Sequence, residues 1–313
     1  MFINNDLVYG GFGDRILDCI SFFTVCNLLN KKGIYLWNKD GKNPILWKSP
    51  NSNKMTYDIN LFFFDKDDNK ILYEIKNKYE NFEIFSFREI IDIEEKNLKR
   101  KKYSGGTATP YRVLNSSKIK EQILPNISSE NYILKYKQTA NILKPCKLLE
   151  SCINKNLNKC IGIHIRRTDK IKNTRKIWEI LPEEQKNLDI KLENYIKNIL
   201  EKKEENFFVC GDDINYVKYL SNYIISNGGN IYGYDNNFEK YTKIEGFNAL
   251  LDFFSLSNCK CIIQNTKYTT FSMAASMINN TEIINLYGKE NNLIQIWEDL
   301  LNLRFLYSLK NNY

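Results

Sequence analysis

From residue 160 onward, short uninterrupted apolar runs alternate with longer segments whose apolar residues recur at helical spacing. Runs of four to eight apolar residues bounded by polar or turn residues read as buried strands, and the longer periodic segments read as helices. The pattern predicts strands at 160–165, 206–210, 230–232, 261–264 and 282–285, and helices at 189–203, 213–226, 246–257, 269–278 and 293–303. Such alternation predicts an α/β domain, a parallel sheet covered by helices.

The first half is less regular. A strand at 7–9, a loop Gly10-Gly11-Phe12-Gly13 and a helix from Asp14 to about residue 31 come first, followed by a strand at 34–37. Ile16, Leu17, Ile20, Phe23 and Leu28 recur near the helical period, and Asp14 suits a first turn, where the helix dipole favours negative charge. A β-loop-α-β opening of this kind begins a Rossmann-like domain. Further strands are expected at 59–64, 71–75 and 82–85, an exposed charged segment at 92–102, and a surface loop, SGGTATP, at 104–110. With a polar, proline-containing stretch at 144–158, the domain boundary falls near residue 150, giving domains 1–150 and 151–313. The last helix is long enough to cross back onto the first domain.

Composition narrows the class. A chain of 313 residues accommodates two domains of roughly 150 residues each. Its 43% hydrophobic, 26% charged and 13% aromatic content is that of a folded globular protein. The formal net charge of +8 favours anionic partners, but Lys, Asn and Ile are spread along the whole chain and no nucleic-acid module is recognisable, so nucleic acid is not expected. The first ten residues lack a basic start followed by an apolar stretch, and no run approaches the roughly 20 apolar residues of a membrane span, so a cytoplasmic protein is expected. Eight cysteines without CxxC spacing fit a reducing compartment, and Cys259 and Cys261, flanking a strand start, read as buried hydrophobes rather than metal ligands. With His164 the single histidine, and no GxSxG turn, a Ser/His/Asp triad is not expected.

Four clusters carry candidate chemistry. The segment CIGIHIRRTDK, Cys160 to Lys170, ends an apolar strand in Arg166 and Arg167, whose planar forks suit phosphate or carboxylate oxygens. An ion pair with Asp169 on a solvated loop is the alternative, and His164 reads either as a base or ribose contact or as a core histidine. Gly10, Gly11 and Gly13 precede a helix whose free N–H groups can receive phosphate, or form a plain turn. Asp212 and Asp213, in VCGDD, end a strand; Asp213 reads as a helix cap, and a metal site is the weaker reading because adjacent carboxylates diverge. Thr269 to Ser276 gathers hydroxyls at a helix start, an anion cradle or a cap. Asp252, inside the apolar run ALLDFFSL, requires a hydrogen-bonding partner, either a guanine edge or an internal group.

Taken in order, HIRRTDK, GDD, LLDFFSLS and TTFSMAAS resemble the successive donor-site segments of the GT-B fucosyltransferases, especially the α1,6-fucosyltransferases, and GGFGDR is similar to that family's glycine-rich opening loop. The resemblance implies a GT-B fold, two Rossmann-like domains facing across a cleft, and an inverting transferase that moves fucose from GDP-fucose to a sugar hydroxyl of an oligosaccharide acceptor without a metal or other cofactor. It implies that Arg166 holds the β-phosphate with Arg167 in support, that Asp169 orients the arginines, and that Lys170 positions a nearby carboxylate. By the same resemblance His164 and Asp252 meet guanosine, Asp212 belongs to the donor site, Thr270, Phe271 and Ser272 line the diphosphate pocket, and Gly11 and Gly13 close it from the other domain. The family's catalytic Glu has no counterpart at its usual place in IKNTRKIWE: Thr174 stands near it, and Glu179, several residues later, is the candidate base. Another nucleotide sugar on the same fold, or a noncatalytic nucleotide- or glycan-binding protein, are the alternatives.

Overall fold

The computed structural model describes residues 2–4, 12–30, 33–35, 83–85, 121, 124–141, 143–145, 147–167, 171, 180–234, 247–265 and 269–287. The chain divides into two units, Met1–Lys147 and Leu148–Tyr313. The expected strands at 7–9, 59–64 and 71–75, the segments at 92–102 and 104–110, and the helix at 293–303 lie outside the described residues.

In the first unit, β1 (Phe2–Asn4) lies between β2 (Gly33–Tyr35) and β3 (Glu83–Phe85) in a parallel sheet, with Ile3 opposite both Ile34 and Ile84. Helix α1 (Phe12–Leu28) follows β1. It starts at Phe12 rather than after the glycine loop, so Gly13 sits buried in its first turn. The helix is buried on nearly all sides, Asp18, Ser21 and Thr24 included. Two of these polar groups are satisfied within the helix: Ser21 Oγ donates to the Leu17 carbonyl (3.0 Å) and Thr24 Oγ1 to the Ile20 carbonyl (2.7 Å).

Helix α2 (Ser129–Ala140), which the pattern did not predict, packs on α1. Its buried stripe is Tyr132, Tyr136 and Ala140 in an otherwise polar segment, too narrow to register as an amphipathic face. The Tyr136 hydroxyl donates to the Leu17 carbonyl (3.1 Å), and Ser128 caps the helix by accepting from Asn131 N (3.2 Å).

Helix α3 (Lys147–Cys152) begins at the boundary, and the second unit continues with a 3-10 turn (Lys155–Lys159), β4 (Cys160–Ile165), α4 (Pro182–Leu200), β5 (Asn206–Gly211), α5 (Ile214–Ser226), β6 (Asn230–Ile231), α6 (Phe247–Ser257), β7 (Cys261–Gln264), α7 (Thr270–Ile278) and β8 (Glu282–Asn285). The sheet is parallel throughout, in the order β6-β5-β4-β7-β8. Three expected strands, β4, β7 and β8, have the predicted bounds. Helix α4 begins a full two turns before the expected residue 189, because Pro182 stands at its first position and the Glu184 carboxylate accepts from Leu181 N (3.3 Å).

All six residues of β4 are buried. Ile161, Ile163 and Ile165 form one core with Phe207, with Leu192 and Ile196 of α4, and with Leu220 and Ile224 of α5. On the other face α6 approaches so closely that a Cβ on Gly162 would stand 3.0 Å from Cys259 Sγ and from Leu256 Cδ2. Cys259 and Cys261 are buried as expected, and the seven described cysteines are all free and buried.

A strand otherwise favours Val, so Gly162→Val separates local preference from packing. We expect it to lower stability by about 1–3 kcal/mol, read as a shifted urea midpoint. An unchanged midpoint would mean that α6 does not press on β4 as described.

Candidate active site

The chain enters the second sheet at its centre, builds outward through β5 to β6, and returns to the other side of β4 through β7 and β8. The connections from β4 and β7 therefore leave in opposite directions, and the crevice at their carboxyl ends is where open α/β sheets take ligands. Three polar segments reach this end: Arg166-Arg167 after β4, Asp212-Asp213 after β5, and Asn265 with the start of α7 after β7.

Arg167 falls on the side of α4 and α5. Its Nη1 donates to Asp189 Oδ2 (2.7 Å), its Nε lies 3.4 Å from Asp213 Oδ2, and its guanidinium carbon sits 3.9 Å from the centre of the Tyr216 ring. Its backbone N–H donates to Asp212 Oδ1 (2.7 Å). With its side chain 20% exposed, this cation is held by two carboxylates and an aromatic face.

Arg166 is the more accessible of the pair, 35% exposed, with Nε 3.4 Å from Asp212 Oδ2. Asp212 thus serves both arginines, one oxygen each. Gly211 permits this: a Cβ there would collide with the Ile165 carbonyl oxygen, and the next N–H, of Asp212, donates to that oxygen (3.2 Å). Asp213 caps α5, accepting from Tyr216 N (3.1 Å), as well as facing Arg167.

On the opposite face, His164 is buried and stacks on Phe271 of α7 at 4.8 Å, with Phe253 of α6 edge-on to Phe271 at 5.5 Å. Burial, with Arg166 nearby, lowers the His164 pKa to about 3, so the ring is neutral at physiological pH. Its Nδ1 and the hydroxyl of buried Ser272 have no hydrogen-bond partner among the described residues. Thr269 stands at the N-cap of α7 without a side-chain cap bond, and its carbonyl accepts from Gln264 Nε2 (3.1 Å). The hydroxyl of Thr269 therefore leaves the first N–H groups of α7 uncapped, an arrangement suited to an anion. Thr270 and Phe271, half-buried, begin that helix.

Half-buried Asp252 accepts a hydrogen bond from the Tyr234 hydroxyl, and Tyr234 packs edge-on to Phe208 at 5.4 Å. The carboxylate that the sequence left in search of a partner thus has an internal one. Burial pushes its pKa up to about 7, against the opposing effect of Tyr234.

Gly11, Asp169, Lys170, Glu179 and Thr174 lie outside the described residues, and Gly13 belongs to α1 of the first unit. Among the described residues no three His, Cys, Asp or Glu side chains gather as a metal-binding group, and Asp212 and Asp213 face arginines instead. Sequence reasoning missed Gln185, Asp189, Tyr216, Tyr234 and Asn265. Placing Asp189 at a helix start hid the i,i+4 pair it makes with Gln185, and Asn265 was the unremarked polar residue closing the CIIQ strand.

No protein-family model matches the sequence, and no curated protein matches it. Among solved structures, the fucosyltransferase NodZ from Bradyrhizobium is similar over 91% of this chain and 95% of that one, with TM-score 0.50 and 13% identity. NodZ α-1,6-fucosyltransferase soaked with GDP-fucose covers 91% and 94%, at TM-score 0.47 and 13% identity. A mutant of FUT1 from Arabidopsis thaliana in complex with GDP covers 93% and 70%, at TM-score 0.46 and 13% identity. The first likeness shows the fold alone: a mixed α/β chain with a parallel sheet, similar to that of the NodZ structure. No helix among the described residues is long and apolar enough to cross a membrane.

A carboxyl whose folded pKa lies above its unfolded value of about 3.9 binds its proton more tightly in the folded state, so its contribution to stability falls as pH rises from about 4 to about 7. Relative to Asp252→Asn, the wild type should lose about 2–4 kcal/mol between pH 4.5 and pH 8. Urea midpoints measured at both pH values check this; identical pH dependence in the two proteins would remove the raised carboxyl.

Proposed function

We propose that the chain is a glycosyltransferase that moves fucose from GDP-fucose to a sugar hydroxyl of an oligosaccharide acceptor, with inversion at the anomeric carbon and without a metal ion. The observation that carries this reading is Arg166, a partly exposed guanidinium at the carboxyl end of the central strand, beside the switch point of the sheet. The fold supports the class of reaction, and so does the order of the four motifs.

The chemistry asks for such a group. The acceptor hydroxyl oxygen attacks the anomeric carbon, the bond from that carbon to the β-phosphate oxygen breaks with its electron pair, and GDP departs with added negative charge. A fixed guanidinium and helix N–H groups stabilise that charge as it develops, without reorganising at the moment of reaction. Arg166 and the start of α7, with Thr270, Phe271 and Ser272, take this role. Arg167 supports it from within, its own guanidinium being engaged by Asp189, Asp213 and Tyr216.

Neutral His164, with a ring nitrogen that has no partner among the described residues, suits hydrogen bonding to the nucleoside rather than to phosphate. The second oxygen of Asp252 suits one N–H donor of a guanine edge, with Tyr234 fixing the first. The acceptor's proton goes to a base, for which Glu179 is the candidate from sequence, with Asp169 and Lys170 following the arginines along the chain.

Release of GDP from GDP-fucose, with and without mixed oligosaccharides, tests the reading. Arg166→Ala should slow it by about 10²–10³-fold. Its stability, read from urea unfolding, should stay within about 1 kcal/mol of wild type, since a partly exposed ion pair contributes little. Wild-type turnover by the variant would remove Arg166 from the reaction. Turnover of a different nucleotide sugar would change the donor, tight GDP binding without turnover of any would leave a binding protein, and activity lost to EDTA and restored by Mg²⁺ would refute metal independence.

A further inference from the structure

The arginine cluster is organised around a carboxylate that the reaction above does not use. Asp189, on the buried side of α4 and 13% exposed, accepts from three donors belonging to three elements: Arg167 Nη1 after β4 (2.7 Å), Gln185 Nε2 one helical turn earlier (2.8 Å), and Asn265 Nδ2 after β7 (3.0 Å). Arg167 takes Oδ2, and the two amides share Oδ1. Gln185 and Asn265 are each 1% exposed.

The donor set fixes directions as well as contacts. Because the Asn265 amide turns its nitrogen to Asp189, its Oδ1 faces away, and this buried acceptor has no partner among the described residues. On the other arm, the backbone N–H of Arg167 is bound to Asp212 Oδ1, and the other oxygen of Asp212 faces Arg166. Asp189 is thereby joined to Arg166 through Arg167 and Asp212. It also bridges β4 and β7, the strands on either side of the switch point, at the residues where each leaves the sheet.

Stability alone does not call for a carboxylate here. The neighbouring inward positions of α4 are Leu188, Leu192 and Ile196, and a buried ionic group is often no more stabilising than an apolar one of similar volume. What it supplies is fixed geometry.

We propose that Asp189 is the positioning residue of the site: it sets Arg167 and Asn265 on the two sides of the β4/β7 crevice, and through Arg167 it sets the guanidinium of Arg166 against the diphosphate of a bound sugar nucleotide. This inference rests on the reaction proposed above. Asp189 touches neither donor nor acceptor. Its effect is on the alignment of charge in the transition state more than on ground-state binding, so it belongs in kcat rather than in KM.

The test is steady-state kinetics with GDP-fucose on Asp189→Asn, which keeps the shape, removes the charge, and cannot accept from all three donors. The expected result is a fall in kcat of about 10- to 100-fold with the donor KM within about threefold of wild type, together with a lowered urea midpoint, since Arg167 keeps Asp213 but loses its closest counter-charge. Should this variant fail to fold, Asn265→Ala carries the test, since it leaves Asp189 with Arg167 and Gln185; the same kcat-selective loss is expected. Wild-type kcat in either folded variant, or a rise in KM with kcat unchanged, overturns the positioning role and leaves the fucosyl-transfer reading standing. A wild type that turns over no nucleotide sugar overturns that reading, and this inference falls with it.

Discussion

A guanidinium at the end of a buried strand cannot be left without anionic partners, and the second unit is built around meeting that condition for Arg167. Its partners come from α4, from the residues between β5 and α5, and from the first turn of α5. Asp213 serves at once as a helix cap and as a counter-charge, so the same atoms that start α5 hold the cation. Gly211 lets β5 come within reach of β4's last carbonyl, without which Asp212 would not stand beside the arginines. The GDD segment is therefore one device: close approach, bridge, cap.

The distances divide the labour between adjacent arginines. Arg167 is fastened by hydrogen bonds of 2.7 Å at its backbone and its fork, whereas Arg166 meets Asp212 at 3.4 Å and is nearly twice as exposed. Charge-assisted hydrogen bonds are short when strong, so the longer pair is the one a ligand oxygen can displace. Sequence presents two equivalent letters. Alternation along the strand makes them different, because one side chain falls on the α4 and α5 face and the next on the face of His164 and α7.

Much of the second sheet was legible because a strand buried on both faces is largely apolar, as β4 and β7 are, whereas edge strand β8 shows only the pair Ile283-Ile284 between polar ends. Helix α2 was illegible because tyrosines provide its buried stripe, and their hydroxyls mask the period in a segment rich in Lys, Glu and Asn. The start of α4 was written in Pro182, Glu183 and Glu184, but the more strongly periodic stretch after residue 189 outweighed them. That displacement had a chemical consequence, since a residue placed at a helix end looks like an ordinary first-turn acid, and Asp189 is instead the centre of a buried network. Pairs such as Arg167 with Asp189, or Asp252 with Tyr234, depend on how helices lie over the sheet, which no local spacing encodes.

Charge bookkeeping shows why this end of the sheet is not a simple basic patch. Among the described residues Arg166 and Arg167 face Asp189, Asp212 and Asp213, two positive charges against three negative. What the arrangement offers is direction: a partly exposed guanidinium whose contact with Asp212 is long, at the same end of the sheet as a helix start whose N-cap side chain makes no cap bond. Donors aimed at the place where charge develops favour the transition state over the ground state, whereas a surplus of positive charge would favour both alike. The three carboxylates thus suit the transfer proposed above, in which the nucleotide has to leave once the bond has broken.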